Sequence, residues 1–347
     1  MEPDGGSPAS RAQQHRAGRP YATIRDVAEL ARVSTATVSR VVNGHPNVRH
    51  PVREAVLAAI RELGFAPNES AAGLRRGRHR TIGVVVHNLL NPYVAQGARI
   101  LIDRAAARGY RVTVHDADLN AEMEARLIAQ LAPRIEGLIW LPVGSSTRCL
   151  DPLGRMPVVA VTDQPDLVPH VARTDESAAI AEAVAELVDI GHRKFAVAGW
   201  GGFPSPTRGR LVQQALDRFG LTAIQLARVD KPAAACTADV AALVRSGRAT
   251  AIFIDGHPGV PAVLLGIRGA GATIPEDISV VAFGDSDWAQ AMRPALTVIA
   301  ADNRRVADEA VDQLIALIEG QPGGERPVVV EARYIRRESC APIRLAR

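Results

Sequence analysis

From Thr81 onward short apolar runs alternate with amphipathic stretches, and this alternation limits the possible folds more than any other feature of the chain. The apolar runs are "TIGVVV" (81–86), "RVTVH" (111–115), "GLIWL" (137–141), "VVAV" (158–161), "KFAVAG" (194–199), "AIFI" (251–254) and "ISVVAF" (278–283). Helical spacing fills several of the gaps: a helix ends at Gly109, another covers 121–132, and a third runs from beyond Asp175 to Gly191. Strands alternating with helices in this way predict parallel sheets covered by helices on both faces. The pattern pauses after "VVAV" and resumes after Asp175, which implies two sheet domains in series with a cleft between them. There is no short-period internal repeat.

The first eighty residues differ in kind. In "ATIRDVAELAR" and "VSTATVSRVVNG" (33–44), residues Ile24, Val27, Ala28, Val33, Val38, Val41 and Val42 give each of two short helices one apolar side. Ala28 is small enough to let the two cross closely. A third helix, "PVREAVLAAIREL", begins at Pro51 and ends before Gly64, where a positive φ costs little. Residues 1–20 are rich in Gly, Pro, Ser and Arg without periodicity and read as a disordered extension. In a helix-turn-helix the second helix enters the major groove. Here that helix starts at Ser34 as N-cap and presents Thr35, Ala36, Thr37, Ser39 and Arg40 outward. Hydroxyls and free helix N–H groups suit phosphate oxygens, and Arg40 suits a bidentate contact with guanine. The short Thr35 and Ala36 suit a thymine methyl or a single hydrogen bond. An ordinary helical hairpin at a domain edge is the alternative that periodicity alone leaves open.

Charge separates the same two regions. Residues 1–80 hold 13 Arg against 7 Asp and Glu, a net +6, whereas the rest carries 28 basic and 30 acidic groups, a net −2. A basic head on a mildly acidic body points to a polyanion at one end, although an Arg-rich solvated surface would give the same sum. No apolar run approaches a membrane span, and the first twenty residues lack the apolar stretch of a secretory signal, so a cytoplasmic protein is expected. Cys149, Cys236 and Cys340 are odd in number and have no CxxC spacing, which suggests reduced thiols and no metal cluster.

Taken together, "TIRDVAELARVSTATVSRVVNG", "VREAVLAAIRELGFAPN" and "LRRGRHRTIGVVV" closely resemble the DNA-binding head and linker of the LacI/GalR family of bacterial transcription regulators. "RIEGLIW", "GHRKFAVAG", "PEDISVVAF", "PALTVI" and "RRES" extend the resemblance over essentially everything after residue 20. It implies an all-α helix-turn-helix head followed by an α/β body of two Rossmann-like lobes, of the periplasmic-binding-protein type. The expected divisions are a helix-turn-helix domain at 21–67, a hinge helix and linker at 68–80, an effector-binding and dimerisation domain at 81–340, and a tail at 341–347. The N-lobe would comprise about 81–162 and 296–325, and the C-lobe about 163–295 and 326–340.

Carried over by position, Thr35, Ala36 and Arg40 would read bases, and Thr23, Ser34, Thr37 and Ser39 would mostly anchor the DNA backbone. Arg32 departs from the Gly often used in the turn. In "NESAAGLRR", Asn68 would cap a short hinge helix whose Ala71 and Leu74 face DNA, with Leu74 wedged into the minor groove. Such a short helix is marginal alone, and Gly73 weakens it further. A flexible basic linker is the alternative.

In the cleft, the resemblance implies effector contacts from Asn91, Tyr93, Asp163, Arg208, His257 and Asp285. Arg208 matches an arginine that commonly clamps effector hydroxyls or carboxylates. By that resemblance, frequent sugar-binding carboxylate positions are altered to Thr162 and Gly284, with Asp163 and Asp285 adjacent, and a usual Asn-Asp pair becomes Gly256 and His257, so a simple sugar is disfavoured. The expected partners are a double-stranded palindromic operator, a small effector of the sugar, sugar-derivative or nucleoside class, and a second copy of the chain in a homodimer. Control by a partner protein, or by no effector, is the alternative. No membrane association, cofactor or metal is expected. The chain contains no GxSxG, HExxH or GxGxxG, and "GDSD" (284–287) follows a late strand, so a hydrolase is disfavoured. A secreted solute-binding protein would lack the basic head.

Overall fold

The structure, a computed structural model, describes residues 22–42, 44–65, 80–199, 206–226, 233–256, 259–321 and 327–343. It divides into two compact units, Met1–Arg78 and His79–Arg347. Residues 1–20, expected as an extension, the expected hinge residues Asn68, Ala71 and Leu74, and the effector candidate His257 lie outside the described residues.

The first unit contains helices α1 (Ile24–Leu30), α2 (Thr35–Val42) and α3 (His50–Leu63). A capping box starts α1: Asp26 N–H donates to the Thr23 hydroxyl, while Thr23 N–H and its hydroxyl donate to the Asp26 carboxylate at 2.6 and 2.8 Å. The turn after α1 is closed by Val33 N–H donating to Ala28 C=O at 3.0 Å, and it holds Arg32 at φ 52°. Helix α3 ends in Gly64 at φ 59°, the left-handed cap that glycine takes without penalty. Val27, Ala28, Val38, Val41, Val56 and Ala59 form the buried core, and the remaining apolar residues of the sequence pattern pack on it half-buried.

The second unit contains two six-stranded sheets. In chain order its elements are β1 (Thr81–Val86), α4 (Pro92–Ala107), β2 (Arg111–Asp116), α5 (Ala121–Leu131), β3 (Gly137–Trp140), β4 (Val158–Val161), β5 (Val171–Asp175), α6 (Ser177–Asp189), β6 (Phe195–Gly199), α7 (Pro206–Asp217), β7 (Ala223–Gln225), α8 (Ala233–Arg245), β8 (Ala251–Asp255), α9 (Gly259–Gly269), β9 (Ser279–Phe283), α10 (Asp287–Ala291), β10 (Thr297–Ala300), α11 (Asn303–Ile318), β11 (Val328–Glu331) and β12 (Arg333–Ile335). The strand orders are β11-β5-β4-β3-β1-β2 and β12-β10-β9-β8-β6-β7. All pairs are parallel except β10 with β12.

Unbroken apolar runs make sense here because each sheet is buried on both faces. In β1, Ile82, Val84 and Val86 enter the core under α4 and α11, while Val85 enters the opposite core under α5. In β8, Ala251 and Phe253 pack with α6 and α7, and Ile252 and Ile254 pack with α8 and α9.

The chain passes between the sheets after β5, after β10 and after β11. These passages fall later than the lobe boundaries expected after residues 162, 295 and 325. "VARTD" of β5 lacks an apolar run, yet it pairs with β4 through Ala160–Val171 and Val161–Ala172 and so completes the first sheet. β10 pairs with β9 in the second sheet, although it was expected in the N-lobe. β11 joins the first sheet beside β5, although 326–340 was expected wholly in the C-lobe.

Candidate functional site

Two surfaces concern function, one on each unit. On the head, Ser34 caps α2: Thr37 N–H donates to the Ser34 Oγ at 3.1 Å, and the two hydroxyls lie 2.9 Å apart. Val38 and Val41 face the core, which leaves Thr35, Ala36 and Arg40 exposed on the other side. Ser39 is half-buried. The Thr23 hydroxyl is committed to its capping box, so its local structural role is to start α1. The result is an exposed helix start with small side chains and one guanidinium, a shape that fits a DNA groove.

In the body, a cavity of about 890 Å³ opens at the carboxyl ends of the strands, the usual ligand position in open α/β sheets. The first sheet contributes residues after β1, β3 and β4 together with β5 itself, and the second-sheet side contributes Thr207, Arg208 and Gly256. Of the expected effector residues, the structure brings Asn91, Tyr93, Asp163 and Arg208 to this cavity. Asn91 also caps α4, its side-chain oxygen accepting from Tyr93 N–H at 3.0 Å. Burial pushes the Tyr93 hydroxyl well above the ordinary tyrosine pKa, against the pull of nearby Arg208, and it hydrogen-bonds with Asn303. It is therefore a neutral phenol at physiological pH.

Arg208 is firmly pinned. Its Nε and Nη2 donate to Glu176 at 2.7 Å each, Nη1 donates to Asp255 at 3.0 Å, and the guanidinium lies 4.6 Å from the centre of the Phe283 ring. Burial opposes its charge, but the two carboxylates more than offset this and hold its pKa well above the usual arginine value. Sequence reasoning missed both partners. Asp255 ends an otherwise apolar strand, which was a usable signal; Glu176 gave none, because its meeting with Arg208 is purely tertiary.

Asp285 is a correction, since it does not line the cavity. Both of its oxygens accept from Arg337 Nη2, at 2.8 and 2.7 Å, and Arg337 also donates to Leu296 C=O at 2.9 Å. The neighbouring residues of "RRES" complete a clasp: Glu338 accepts from Ala295 N–H, and the Ser339 hydroxyl links Thr297 N–H to Val280 C=O. This segment fastens β9 to β10. Gly256 and Thr162 do line the cavity, as do residues the sequence did not single out, among them His87, Arg173, Asp175 and Arg210. Burial lowers the His87 pKa, opposed by Asp116 and a backbone hydrogen bond at Leu141. Hydrogen bonds from the Ser177 hydroxyl and N–H, at 2.7 and 3.0 Å, hold the Asp175 carboxyl below the usual range.

Comparison with known proteins places both surfaces in context. Residues 23–68 match the model described as bacterial regulatory proteins, lacI family, and residues 184–340 match the periplasmic binding protein-like domain. The chain is 30% identical over 289 residues to catabolite control protein A of Priestia megaterium, covering 80% of this chain and 86% of that protein. It is 28% identical over 332 residues to the HTH-type transcriptional repressor PurR of Photobacterium profundum, covering 92% and 98%. Among solved structures, the lac repressor dimer bound to operator and the anti-inducer ONPF aligns with a TM-score of 0.78 at 26% identity, covering 92% and 99%. These relatives are transcriptional regulators. No described helix is long and apolar enough to cross a membrane.

Proposed function

Because this chain belongs to the lacI family of bacterial regulatory proteins and is a DNA-binding transcriptional regulator, we propose that it is a homodimeric repressor whose head reads a palindromic operator and whose cavity takes a small effector. The observation that carries the reading is the capped helix α2, with its apolar side buried and Thr35, Ala36 and Arg40 exposed. In this scheme Arg40 contacts guanine, Thr35 and Ala36 contact neighbouring bases, and Ser34, Thr37 and Ser39 hold phosphate. Two heads are needed because half-sites lie about one helical turn apart. The hinge at 68–80, with Asn68, Ala71 and Leu74, links this event to the body.

Ligand control follows from where the cavity lies. Its walls come from both sheets, so a ligand touching Asn91, Tyr93 and Asp163 on one side and Arg208 on the other would favour one relative setting of the lobes. Couplings of about 1–3 kcal/mol would change operator affinity about 5- to 150-fold.

The test begins with selection of a binding site from a random DNA pool, followed by fluorescence anisotropy on the selected duplex. A palindrome bound at two chains per duplex is expected, and Arg40→Ala should weaken it about tenfold or more while flattening the preference at one position of each half-site. Enrichment of no sequence, or unchanged affinity and preference in Arg40→Ala, would overturn the reading.

A further inference from the structure

Three arginines, Arg173, Arg208 and Arg210, line the cavity, and the first two are in very different states. Arg208 is saturated by Glu176, Asp255 and the Phe283 ring. Arg173 is not. It sits in the middle of β5, opposite Val329 of β11, and its side chain lines the cavity. Its Nε is sealed from solvent and finds no hydrogen-bond acceptor among the described residues. The nearby Asp175 feels the Arg173 charge, but the hydrogen bonds of the Asp175 Oδ1 go to Ser177. No hydrogen bond from Nε therefore ties this side chain to the protein, and a planar guanidinium fork is the side chain best matched to a paired-oxygen anion.

We propose that the ligand of this cavity is a small polyhydroxylated carboxylic acid, and that Arg173 takes its carboxylate. The inference rests on the cavity being an effector site and adds the effector's chemical class. A carboxylate is favoured over a phosphate because the lining charges already nearly balance: Glu176 is paired with Arg208, and Asp163 and Asp175 stand against Arg173 and Arg210. Asp163 and Asp175 repel a dianion more strongly than a monoanion, and they are good acceptors for hydroxyl groups. The acid end of the ligand therefore goes to Arg173 and its hydroxyls to the acidic side chains. This also fits the expected loss of a sugar-type carboxylate at Thr162 and of an amide at Gly256, both of which line the cavity.

The experiment uses the full-length protein in thermal-shift and calorimetric titrations with gluconate, glucuronate and galacturonate, against glucose, galactose, glucose 6-phosphate and inosine. At least one acid should give a saturable upward shift while the neutral sugar of the same carbon skeleton gives none. Arg173→Gln should weaken binding of that acid about 10- to 100-fold, and Arg173→Lys should recover part of the loss, because it restores charge without the fork. If Arg173→Gln fails to fold, as judged by circular dichroism, the acid and neutral pairs on the unaltered protein still decide. Binding of a neutral sugar or inosine with the acids silent would overturn the acid assignment and leave ligand control standing. Binding of glucose 6-phosphate alone would overturn the choice of carboxylate. Equal acid affinity in Arg173→Gln, or no saturable shift from any acid, would also overturn the proposal. Operator titration of the same samples without ligand reports separately on the DNA-binding reading.

Discussion

Arg208 and Glu176 are joined by two parallel hydrogen bonds of 2.7 Å each, and the same guanidinium reaches Asp255 at 3.0 Å. The Glu176 and Asp255 side chains are only 10% and 3% exposed. Arg208→Met should therefore destabilise the body by about 3–5 kcal/mol, because it strands two buried carboxylates. Denaturant unfolding at neutral pH measures this, and a loss below about 1 kcal/mol would show that the network contributes little. Lost ligand binding in that variant would report a disordered cavity wall as much as a missing contact, so Arg173 is the better probe of recognition.

Asp285 makes the opposite case. Its carboxylate is spent on Arg337 and does not line the cavity. Asp285→Ala should cost about 1–3 kcal/mol of stability and leave the affinity of a cavity ligand within about threefold. A large loss of affinity at unchanged stability, measured by calorimetry and thermal melting, would return Asp285 to the binding site.

Arg32 holds φ 52° in the turn between α1 and α2. A side chain in the left-handed region costs about 1 kcal/mol relative to glycine. Arg32→Gly is expected to slow hydrogen exchange of the α1 and α2 core amides about fivefold, since the head then opens less often. Faster exchange in the variant would mean that the Arg32 side chain adds more than the backbone strain removes.

Helices α8 and α9 approach closely at Gly266. A Cβ built there would lie 2.7 Å from the Thr237 carbonyl oxygen and 2.8 Å from the Val240 Cβ. Neither neighbour is the yielding end of a long side chain, so Gly266→Ala should cost about 1–3 kcal/mol. A thermal melt with an unchanged midpoint would contradict the close packing.

His192 is buried, with its Nδ1 2.9 Å from the Thr250 hydroxyl and its Nε2 3.1 Å from Ala341 C=O. The Ser279 hydroxyl also lies 2.9 Å from Nε2, so both ring nitrogens have partners in the neutral imidazole. Burial lowers the pKa of His192 below the ordinary value of 6.5. Between the lowered folded value and 6.5 the unfolded chain binds more protons, so stability rises with pH there and is lost as pH falls below about 6.5. His87 and His115, also shifted down by burial, act in the same direction. The melting midpoint should fall from pH 7.5 to pH 5.5, and His192→Gln should flatten that slope. An identical slope in the variant would remove His192 from the account.

The sequence by itself determined the character of the segments. Helical spacing identified the apolar side of the head down to Val27, Ala28, Val38 and Val41, and continuous apolar runs identified β1, β3, β4, β6, β8 and β9, because both patterns are set by neighbours a few residues apart. Tyr93 and Arg208 were also legible as cavity residues, through the resemblance of their surroundings. The tertiary structure decided everything that depends on distant partners. β5 carries too few apolar residues to be read as a strand until β4 and β11 flank it. Arg208 meets Glu176 and Asp255 from 32 and 47 residues away, and Asp285 meets Arg337 from 52. A charged side chain carries no local sign of whether its partner is water, a ligand or another residue. Which one it meets is settled only when the sheets close around it, and that closure pairs Asp285, occupies Arg208 and leaves Arg173 a donor to spare.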